Sequence, residues 1–557
     1  MFQDESRARP AWLALLLALT SAVVFAVFAS YRIDSPGLYA DEVLFVPAAL
    51  EAAGECGIEA PVSVQAGACF PLYLSPPYLG ALKAWLYAPL FAAFEPTPAR
   101  VRWPMLILAA VTVAGWVLMC RRWLAPPALV ALGALLALDP AFAIHARIDW
   151  GPVVIAGFLK LVLLACCLGW VRSGSRALLL ASFALSAVGL YDKLSFAWTL
   201  AALAAAITLV HWREVQRHVA AWRVRDWVAV AAGTASVAIP FLLAFRVASG
   251  LDLPGADASA SFAERLLRIV GLADVALGGD FALPWIAEQP TWASRWPFLL
   301  LAAGWCAATG LALARPWRDP SLRARWQALA VVAVLSAVLF ACMVATRQVG
   351  GAHHLIVLWP LHWVLWALLV DLASRLARRH RSPRLVAAVS LAAVAGLAAL
   401  VQPFAQRQME LRALWRGEHG FSARFDPGTI GLARLLATRQ PHSVIVTDWG
   451  LHAPLVTLSP PTVRERLIDA WPTFNEPPVA GSVAAAWADA HLRDGPVVIV
   501  SFAAGRAVMP ATESHRDANL AAWGLCIVRI ETIVDANGRP LYDLRTAVAG
   551  RPLCTGP

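Results

Sequence analysis

The stretch AWLALLLALTSAVVFAVFASYRIDSPGLYADE, residues 11–42, decides the fold because it joins a long apolar run to a pair of adjacent acids. As a helix, the run Ala11–Ala29 would be about 29 Å long, close to the thickness of the hydrocarbon core of a bilayer. It exceeds the apolar region of a signal peptide, and Ser30-Tyr31-Arg32 is not a small-x-small cleavage site. We therefore expect an uncleaved first transmembrane helix, followed by the acids Asp41 and Glu42.

Further apolar runs make the chain polytopic. Of its 557 residues, 59% are hydrophobic and 15% are charged, and the mean hydropathy is +0.63. Ordinary soluble domains carry about 25% charged residues. The predicted spans are residues 11–30, 103–120, 125–142, 152–171, 177–191, 194–210, 227–246, 296–314, 327–345, 354–371 and 384–401. The fold class is therefore an α-helical polytopic membrane protein with about eleven transmembrane helices in residues 1–401.

The arginines orient these spans. They concentrate in alternate loops, as in the sets at 121–122, 172–176, 213–225, 315–325 and 375–384. The positive-inside rule makes these loops cytoplasmic, together with the N-terminus, and explains the net charge of +10 without a nucleic-acid partner. The apolar segment 79–94 would reverse every later loop if it crossed the membrane. We therefore predict that it forms an amphipathic helix at the outer interface.

The composition changes after residue 401. Short β-type runs appear at 443–447, 496–500 and 526–530, and the alanine-rich stretch 480–492 between them is typical of a helix. Residues 402–557 are therefore predicted to form a small α/β domain. An odd number of spans places this domain outside the cytoplasm. Four cysteines fall on that side, and they could form the disulfides Cys56–Cys69 and Cys526–Cys554 or remain free thiols.

Polar residues that interrupt apolar sequence gather on the outer side, in the loops 31–102, 142–152, 247–295 and 346–354. The first such group is Asp41-Glu42. A carboxylate there could act as a general base or, with its neighbour, bind a divalent cation. The alternative is a solvated start of the loop.

Three more groups follow along the chain. His145, Arg147 and Asp149 lie within five residues at the outer end of a span, where the last two could form a structural salt bridge or the arginine could bind a phosphate. Lys193 separates two short spans and is one of only three lysines. The outer loop at 346–354 carries Arg347, His353 and His354, and the adjacent histidines are poorly placed to share one metal ion. In the C-terminal domain, Asp448 follows a predicted strand. It could be a binding group there or simply part of a turn that ends the strand.

The order and common sidedness of these groups resemble the GT-C superfamily of membrane glycosyltransferases. The acidic pair after the first span is followed by Ser75-Pro76-Pro77-Tyr78, by an aromatic amphipathic helix and by Ala99-Arg100-Val101-Arg102-Trp103-Pro104 at the second span. The Asp139-to-Asp149 loop and a lysine between short spans come next. The pattern is most similar to bacterial relatives of dolichyl-phosphate-mannose–protein mannosyltransferase and of the lipid A aminoarabinose transferase, over roughly residues 1–400.

The resemblance implies an inverting hexosyl- or pentosyltransferase. Such an enzyme moves a sugar from a polyprenyl-phosphate carrier to an envelope acceptor, which is a lipid, a glycan or a protein, at the outer face of the membrane. The chain has three lysines and abundant alanine, a composition typical of a GC-rich bacterial genome. We therefore expect it to lie in a bacterial inner membrane. A polytopic transporter or lipid flippase is the alternative, although no internal repeat is visible.

The resemblance also implies roles for individual residues. Asp41, Glu42 and Asp149 match acidic positions of the catalytic site, with Asp41 as the base. The basic residues of the outer loops would bind the donor phosphate; these are Arg147, Lys193, Arg347, His353 and His354. No metal ligand is certain, and Asp41 and Glu42 are the only candidates for a divalent cation. The loop 247–295 is too short for the β-trefoil domain of the protein mannosyltransferases, which puts protein acceptors in doubt.

Overall fold

The chain forms two compact units in the computed structural model, which describes residues 11–67, 69–76, 78–248, 261–280, 282–289, 296–313, 318–346, 351–379, 383–478, 497–522, 525–535 and 537–549. The helical unit comprises Met1–Tyr31, Arg102–Pro284 and Pro290–Ala413. The sheet unit comprises Arg32–Val101, Trp285–Gln289 and Leu414–Pro557. The first outer loop therefore belongs to the same unit as the C-terminal domain, a grouping that could not be expected from the sequence.

The helical unit is built from helices, most of which are long and apolar. They are Ala11–Ala29, Pro98–Cys120, Pro126–Leu138, Pro140–Arg147, Val153–Ser173, Arg176–Asp192, Phe196–Val210, Trp212–Ala220, Val224–Ala248, Phe262–Gly278, Trp296–Leu313, Pro320–Ala345, Ala352–Leu355, Leu361–Arg379 and Pro383–Arg416. In the described part of the chain, seven helical stretches are long and apolar enough to cross a membrane, or nine if each of two bent pairs is one span. The polytopic membrane fold is therefore confirmed.

Each of the eleven predicted spans coincides with a helix or a bent helix pair, but two of these helices are not among the seven to nine stretches. They are Arg176–Asp192 and Val224–Ala248, at the predicted spans 177–191 and 227–246. The first has 17 residues, about 26 Å at 1.5 Å per residue, which is short for the hydrocarbon core.

One bent pair is organised by a buried carboxylate. The helices Pro126–Leu138 and Pro140–Arg147 meet at 44°, because Asp139 has an extended backbone before a proline. Its side chain accepts a hydrogen bond from the Phe142 N–H at 3.0 Å. It also accepts from the indole nitrogens of Trp359 at 3.1 Å and Trp363 at 2.7 Å. Asp139 thus caps the second helix and ties it to the helix Leu361–Arg379.

We expect Asp139→Leu to lower the free energy of unfolding by roughly 3–5 kcal/mol, because three buried donors would lose a charged acceptor where no water can replace it. Asp139→Asn keeps an acceptor oxygen and should cost about 1–2 kcal/mol. Thermal unfolding of the protein in detergent would measure both. Equal melting temperatures for Asp139→Leu and the wild type would contradict this structural role.

The C-terminal part of the sheet unit carries a five-stranded sheet. Its strands are β3 (Ser443–Val446), β4 (Leu467–Asp469), β5 (Val497–Phe502), β6 (Leu525–Val534) and β7 (Pro540–Ala549), in the order β4-β3-β5-β7-β6. The strands β4, β3 and β5 are parallel, and β7 and β6 are antiparallel. The helices of this part are Gly428–Arg439, His452–Leu458, Pro461–Arg464, Trp471–Asn475 and Pro510–Ala522. Phe474 and Leu520 of the last two helices join Ile445, Ile499 and Leu525 in the core.

The sequence predicted this α/β domain correctly. The predicted strands at 443–447, 496–500 and 526–530 are β3, β5 and the first half of β6. The predicted helical stretch 480–492 lies outside the described residues. The β4 and β7 strands were not recognised from the sequence.

The rest of the sheet unit comes from residues 32–101. It contains the short helices Ala40–Val43 and Val46–Ala52, the hairpin of β1 (Val62–Ala66) and β2 (Phe70–Leu74), and the helix Leu82–Ala93 within the segment 79–94. That helix buries Tyr87, whose ring lies 4.6 Å from the Phe45 ring, while Leu86 on another face is 56% exposed. A disulfide joins Cys56, which precedes β1, to Cys69 in the turn before β2, and their Cα atoms are 5.6 Å apart.

A buried arginine joins this region to the C-terminal part of the same unit. Arg464 is 1% exposed, and its Nη1 donates to both carboxylate oxygens of Glu55 at 2.7 and 2.9 Å. Its other terminal nitrogen contacts the Glu95 carboxylate, and its Nε donates to the Val456 carbonyl at 3.0 Å. Because Glu55 and Glu95 are 409 and 369 residues from Arg464, only the folded chain reveals these two ion pairs.

Candidate functional site

The two predicted acids of the sheet unit have different surroundings. Glu42 is 1% exposed, and its carboxylate accepts the Tyr39 N–H at 3.4 Å, which fixes the start of the helix Ala40–Val43. Asp41 is half-buried. The neighbouring carboxylates therefore do not share one environment, and Asp41 is the one that remains open to solvent.

Two tyrosines face the charge of Asp41. The Tyr39 hydroxyl is hydrogen-bonded to the Asp41 carboxylate and to the Trp285 indole. Burial and then the nearby Asp41 raise the pKa of Tyr39 well above its usual range. Burial and the same carboxylate raise the pKa of Tyr78 to about 12. Both phenols are therefore neutral at physiological pH, and Tyr39 donates its proton towards Asp41.

The position of this segment depends on a close backbone contact. The Gly37 N–H donates to the Phe425 carbonyl at 2.7 Å, and the Tyr39 ring stacks on the Phe425 ring at 4.7 Å. A Cβ atom on Gly37 would lie 2.5 Å from the Asp426 carbonyl oxygen. Only glycine fits here without displacing backbone, so Gly37 sets the place of Tyr39 and Asp41.

Gly37→Ala is expected to lower activity by about tenfold or more and to destabilise the sheet unit by roughly 1–3 kcal/mol, because backbone must move to admit the methyl group. Gly431→Ala is the matched control, since no atom lies within 4 Å of its added Cβ. That change should be neutral or slightly stabilising, because alanine favours the helix Gly428–Arg439. Equal activity and equal melting temperature for the two variants would contradict the role of Gly37.

The loop after β3 carries the predicted acid of the C-terminal domain. Asp448 is fully buried and accepts the Phe502 N–H at 2.8 Å, which links the ends of β3 and β5. Burial raises its pKa to about 6. His452 is also buried; burial lowers its pKa, and its Nε2 has no hydrogen-bond partner among the described residues. Asp448 therefore holds the loop in place, while the neighbouring Trp449 is half-buried.

The second outer loop in the helical unit is tightly packed. Arg147 is 1% exposed, and its Nη1 donates to the carbonyl oxygens of Ala29 at 3.0 Å and Tyr31 at 2.7 Å. Asp149 is 2% exposed and accepts the Val154 N–H at 3.0 Å, at the start of the helix Val153–Ser173. His145 is bonded through Nδ1 to the Ala141 carbonyl at 2.8 Å. These contacts hold the end of the first span and the start of the next helices.

A cleft in the same unit is lined by three of the five predicted basic residues, which are Lys193, His353 and His354. The two histidine rings are 4.1 Å apart, and the Trp150 ring stands edge-on to His353 at 6.0 Å. The Lys193 ammonium donates to the Gly151 carbonyl at 3.4 Å. The cleft thus combines cationic and imidazole groups with the aromatic rings of Phe142 and Trp359.

Lys160 lines the same cleft from within a predicted span. Its ammonium donates to the main-chain carbonyl oxygens of Val357 and Trp359. These two oxygens solvate the charge.

Two further predictions concern residues that the structure does not describe, which are Arg347 and Cys554. The phosphate-binding role of Arg347 and the disulfide between Cys526 and Cys554 therefore stay predictions. Among the residues that the structure describes, no three His, Cys, Asp or Glu side chains are grouped as a metal ion would require.

Sequence reasoning missed the aromatic residues around Asp41. Trp285 belongs to the short helix Ala282–Ile286, Phe425 follows the last long helix, and Trp449 follows Asp448. Each of the three rings contacts Tyr39, although each residue lies more than 240 positions after Tyr39 in the sequence. The only sequence signal for them is the unusual number of tryptophans, which is 25.

Comparison with known proteins gives a structural match alone. No protein-family model and no curated protein sequence matches the chain. The crystal structure of ArnT from Cupriavidus metallidurans in the apo state is similar to it with a TM-score of 0.53 and 13% identity, over 97% of this chain and 99% of that chain. The structure of ArnT bound to undecaprenyl phosphate is similar with the same score and identity, over 99% of this chain and 100% of that chain. The chain therefore has the fold of these two structures, and it combines membrane helices with a C-terminal α/β domain.

Proposed function

We propose that this protein is an inverting glycosyltransferase that moves a sugar from a polyprenyl-phosphate carrier to an envelope acceptor at the outer face of a bacterial inner membrane. The observation that carries the proposal is the likeness, over almost the whole chain, to ArnT with undecaprenyl phosphate bound. A cleft lined by Lys193, His353 and His354 in the helical unit supports it, because an anionic carrier needs a cation and hydrogen-bond donors.

The cleft suits the leaving group of this reaction. The carrier phosphate gains negative charge as the glycosidic bond breaks, and preorganised donors stabilise that charge best where water is excluded. We assign this role to Lys193, with His353 and His354 as further donors. Arg147 is largely engaged by carbonyl oxygens at the end of the first helix, so its proposed contribution is to hold the second outer loop. Arg347 remains a proposed phosphate contact.

Asp41 is the proposed general base. The acceptor hydroxyl must lose a proton as it attacks the anomeric carbon, and a half-buried carboxylate can accept it. The hydrogen bond from Tyr39 orients the Asp41 carboxylate. One base and no covalent intermediate predict inversion at the anomeric carbon. In this proposal Glu42 and Asp149 position backbone, since each carboxylate accepts a main-chain N–H.

The reaction needs the polar loops on the extracytoplasmic side. The arginine-rich loops support a cytoplasmic N-terminus and an extracytoplasmic C-terminal domain, by the positive-inside rule. Cysteine accessibility to a membrane-impermeant reagent in spheroplasts would test this orientation. Labelling of an added C-terminal cysteine from the outside would support it, and labelling only after lysis would contradict it.

The activity is tested with the purified protein in nanodiscs. A panel of polyprenyl-phosphate sugars is offered with an envelope extract as acceptor, and released polyprenyl phosphate is measured by mass spectrometry. Release that depends on one sugar identifies the donor and supports the transferase. The proposal is wrong if the folded protein releases no polyprenyl phosphate from any hexose or pentose donor while ArnT, assayed in parallel with its own substrates, is active.

A further inference from the structure

Four aromatic rings and two charged groups meet in the sheet unit; we call Tyr39, Trp285, Phe425 and Trp449 the aromatic surface. Trp285 and Trp449 stand nearly perpendicular to the Tyr39 ring, with centroids 6.5 and 6.2 Å from it and interplanar angles of 79° and 70°. Tyr39 and Phe425 are buried, whereas Trp285 is 42% exposed and Trp449 is half-buried. The two tryptophans are therefore accessible beside a buried aromatic pair.

Charged groups lie at the edge of this surface. The Arg424 guanidinium is 5.1 Å from the Trp285 ring centroid. The half-buried Asp41 carboxylate is hydrogen-bonded to the Tyr39 hydroxyl. A donor and an acceptor of strong hydrogen bonds thus flank accessible aromatic rings, which is more than a lipid chain requires.

Each ring is held from a different segment. The contact of Gly37 with the Phe425 carbonyl places Tyr39, and the Ser422 N–H donates to the Ile286 carbonyl at 2.8 Å beside Trp285. The bond from Phe502 to Asp448 fixes the residue before Trp449, and Gly450 follows it with a φ of +100°. Such a surface is preorganised, so a ligand would bind without ordering it first.

The topology of the sheet also favours this place. The chain leaves β3 to form β4 on one side of it and then returns to form β5 on the other side. The direction of the connections therefore reverses between β3 and β5. In open α/β sheets, ligands bind beyond the carboxyl ends of the strands at this switch point. The segment Thr447–Leu451 that carries Trp449 leaves β3 there.

We propose that the aromatic surface binds a sugar ring of the acceptor, so that the acceptor is a saccharide, either free or attached to a lipid. A pyranose has an apolar C–H face that packs on an aromatic ring, and hydroxyl groups that bond to a carboxylate and a guanidinium. A phosphate would not need the tryptophans, and an acyl chain would not need Arg424 and Asp41. The inference rests on the proposed function, because it names the acceptor that Asp41 would deprotonate.

Saccharide binding is measured without any donor, by saturation-transfer NMR on the full chain in nanodiscs with soluble disaccharides of glucosamine, mannose, galactose and arabinose. At least one should bind at millimolar concentration or tighter. Trp285→Leu and Trp449→Leu should each weaken its binding by about tenfold, because a stacking face is lost. Trp449→Phe keeps a ring and should retain most of the binding.

Trp212→Leu is the matched control, since this tryptophan is 52% exposed in the helical unit. It should bind the saccharide as the wild type does. No binding by the folded wild type, or equal binding by the wild type and the Trp285 and Trp449 variants, overturns the inference. This assay measures saccharide binding without donor turnover. Failure of the proposed transferase activity and failure of the saccharide site are therefore seen separately.

Discussion

Replacement of Asp41 by asparagine is expected to lower transfer from the polyprenyl-phosphate donor by about 10²–10⁴-fold, the usual range for loss of a general base. The amide keeps the size and the hydrogen bond from Tyr39 but cannot accept the acceptor's proton. The binding of the donor should change little, because the proposed phosphate contacts lie in the helical unit. Initial rates with wild-type and variant protein in nanodiscs, together with their melting temperatures, measure the effect.

Asp34→Asn is the control for this prediction. Asp34 is an exposed aspartate in the same loop, and its carboxylate accepts the Ala99 N–H at 3.2 Å, which an amide oxygen can also do. That variant should keep wild-type activity. If Asp41→Asn turns over as fast as Asp34→Asn, Asp41 is not the base, and the search would move to Asp149.

Lys193→Met is expected to reduce transfer by about 10²–10³-fold, the loss seen when one donor to a developing oxyanion is removed. Methionine has a similar length and apolar stem, so the cleft keeps its shape while the charge disappears. Lys193→Arg should recover part of the activity, because a guanidinium also binds phosphate. The rates are compared at saturating donor, so that weaker binding of the carrier is separated from slower chemistry.

A matched loss of charge elsewhere serves as the control. Arg213 is exposed on the helix Trp212–Ala220, away from the lining of the cleft, and Arg213→Gln should be fully active. A wild-type rate in Lys193→Met would contradict the phosphate role of this lysine. A rate as low in Arg213→Gln as in Lys193→Met would instead point to a general electrostatic effect.

Much of the membrane fold was predictable because each span is a local property of the sequence. A helix in lipid must satisfy its own backbone and present apolar side chains over about 20 residues, and both conditions can be read from consecutive residues. The exceptions are instructive. The run at 125–142 is two helices that meet at Asp139, because the carboxylate finds its indole partners 220 and 224 residues later.

The candidate site was predictable only in part. Residues such as Asp41, Lys193 and His353 attract attention because polar groups are expensive next to lipid. Spacing along the chain could not distinguish the roles of Asp41 and Glu42. The fold distinguishes them, because the Glu42 carboxylate accepts a backbone N–H. Nor could it find Trp285 and Phe425, since each is an ordinary aromatic residue until the chain brings it to Tyr39.

By itself, the sequence determined that this is a polytopic membrane protein with a C-terminal α/β domain, because hydrophobic length and strand patterns act within short windows. It also predicted which loops carry the candidate site residues. The tertiary structure alone decided that the first outer loop folds with the C-terminal sheet, through Arg464 and Gly37, and which carboxylate stays accessible. The physical reason is that these contacts join residues hundreds of positions apart, and their free energy depends on burial that exists only after folding.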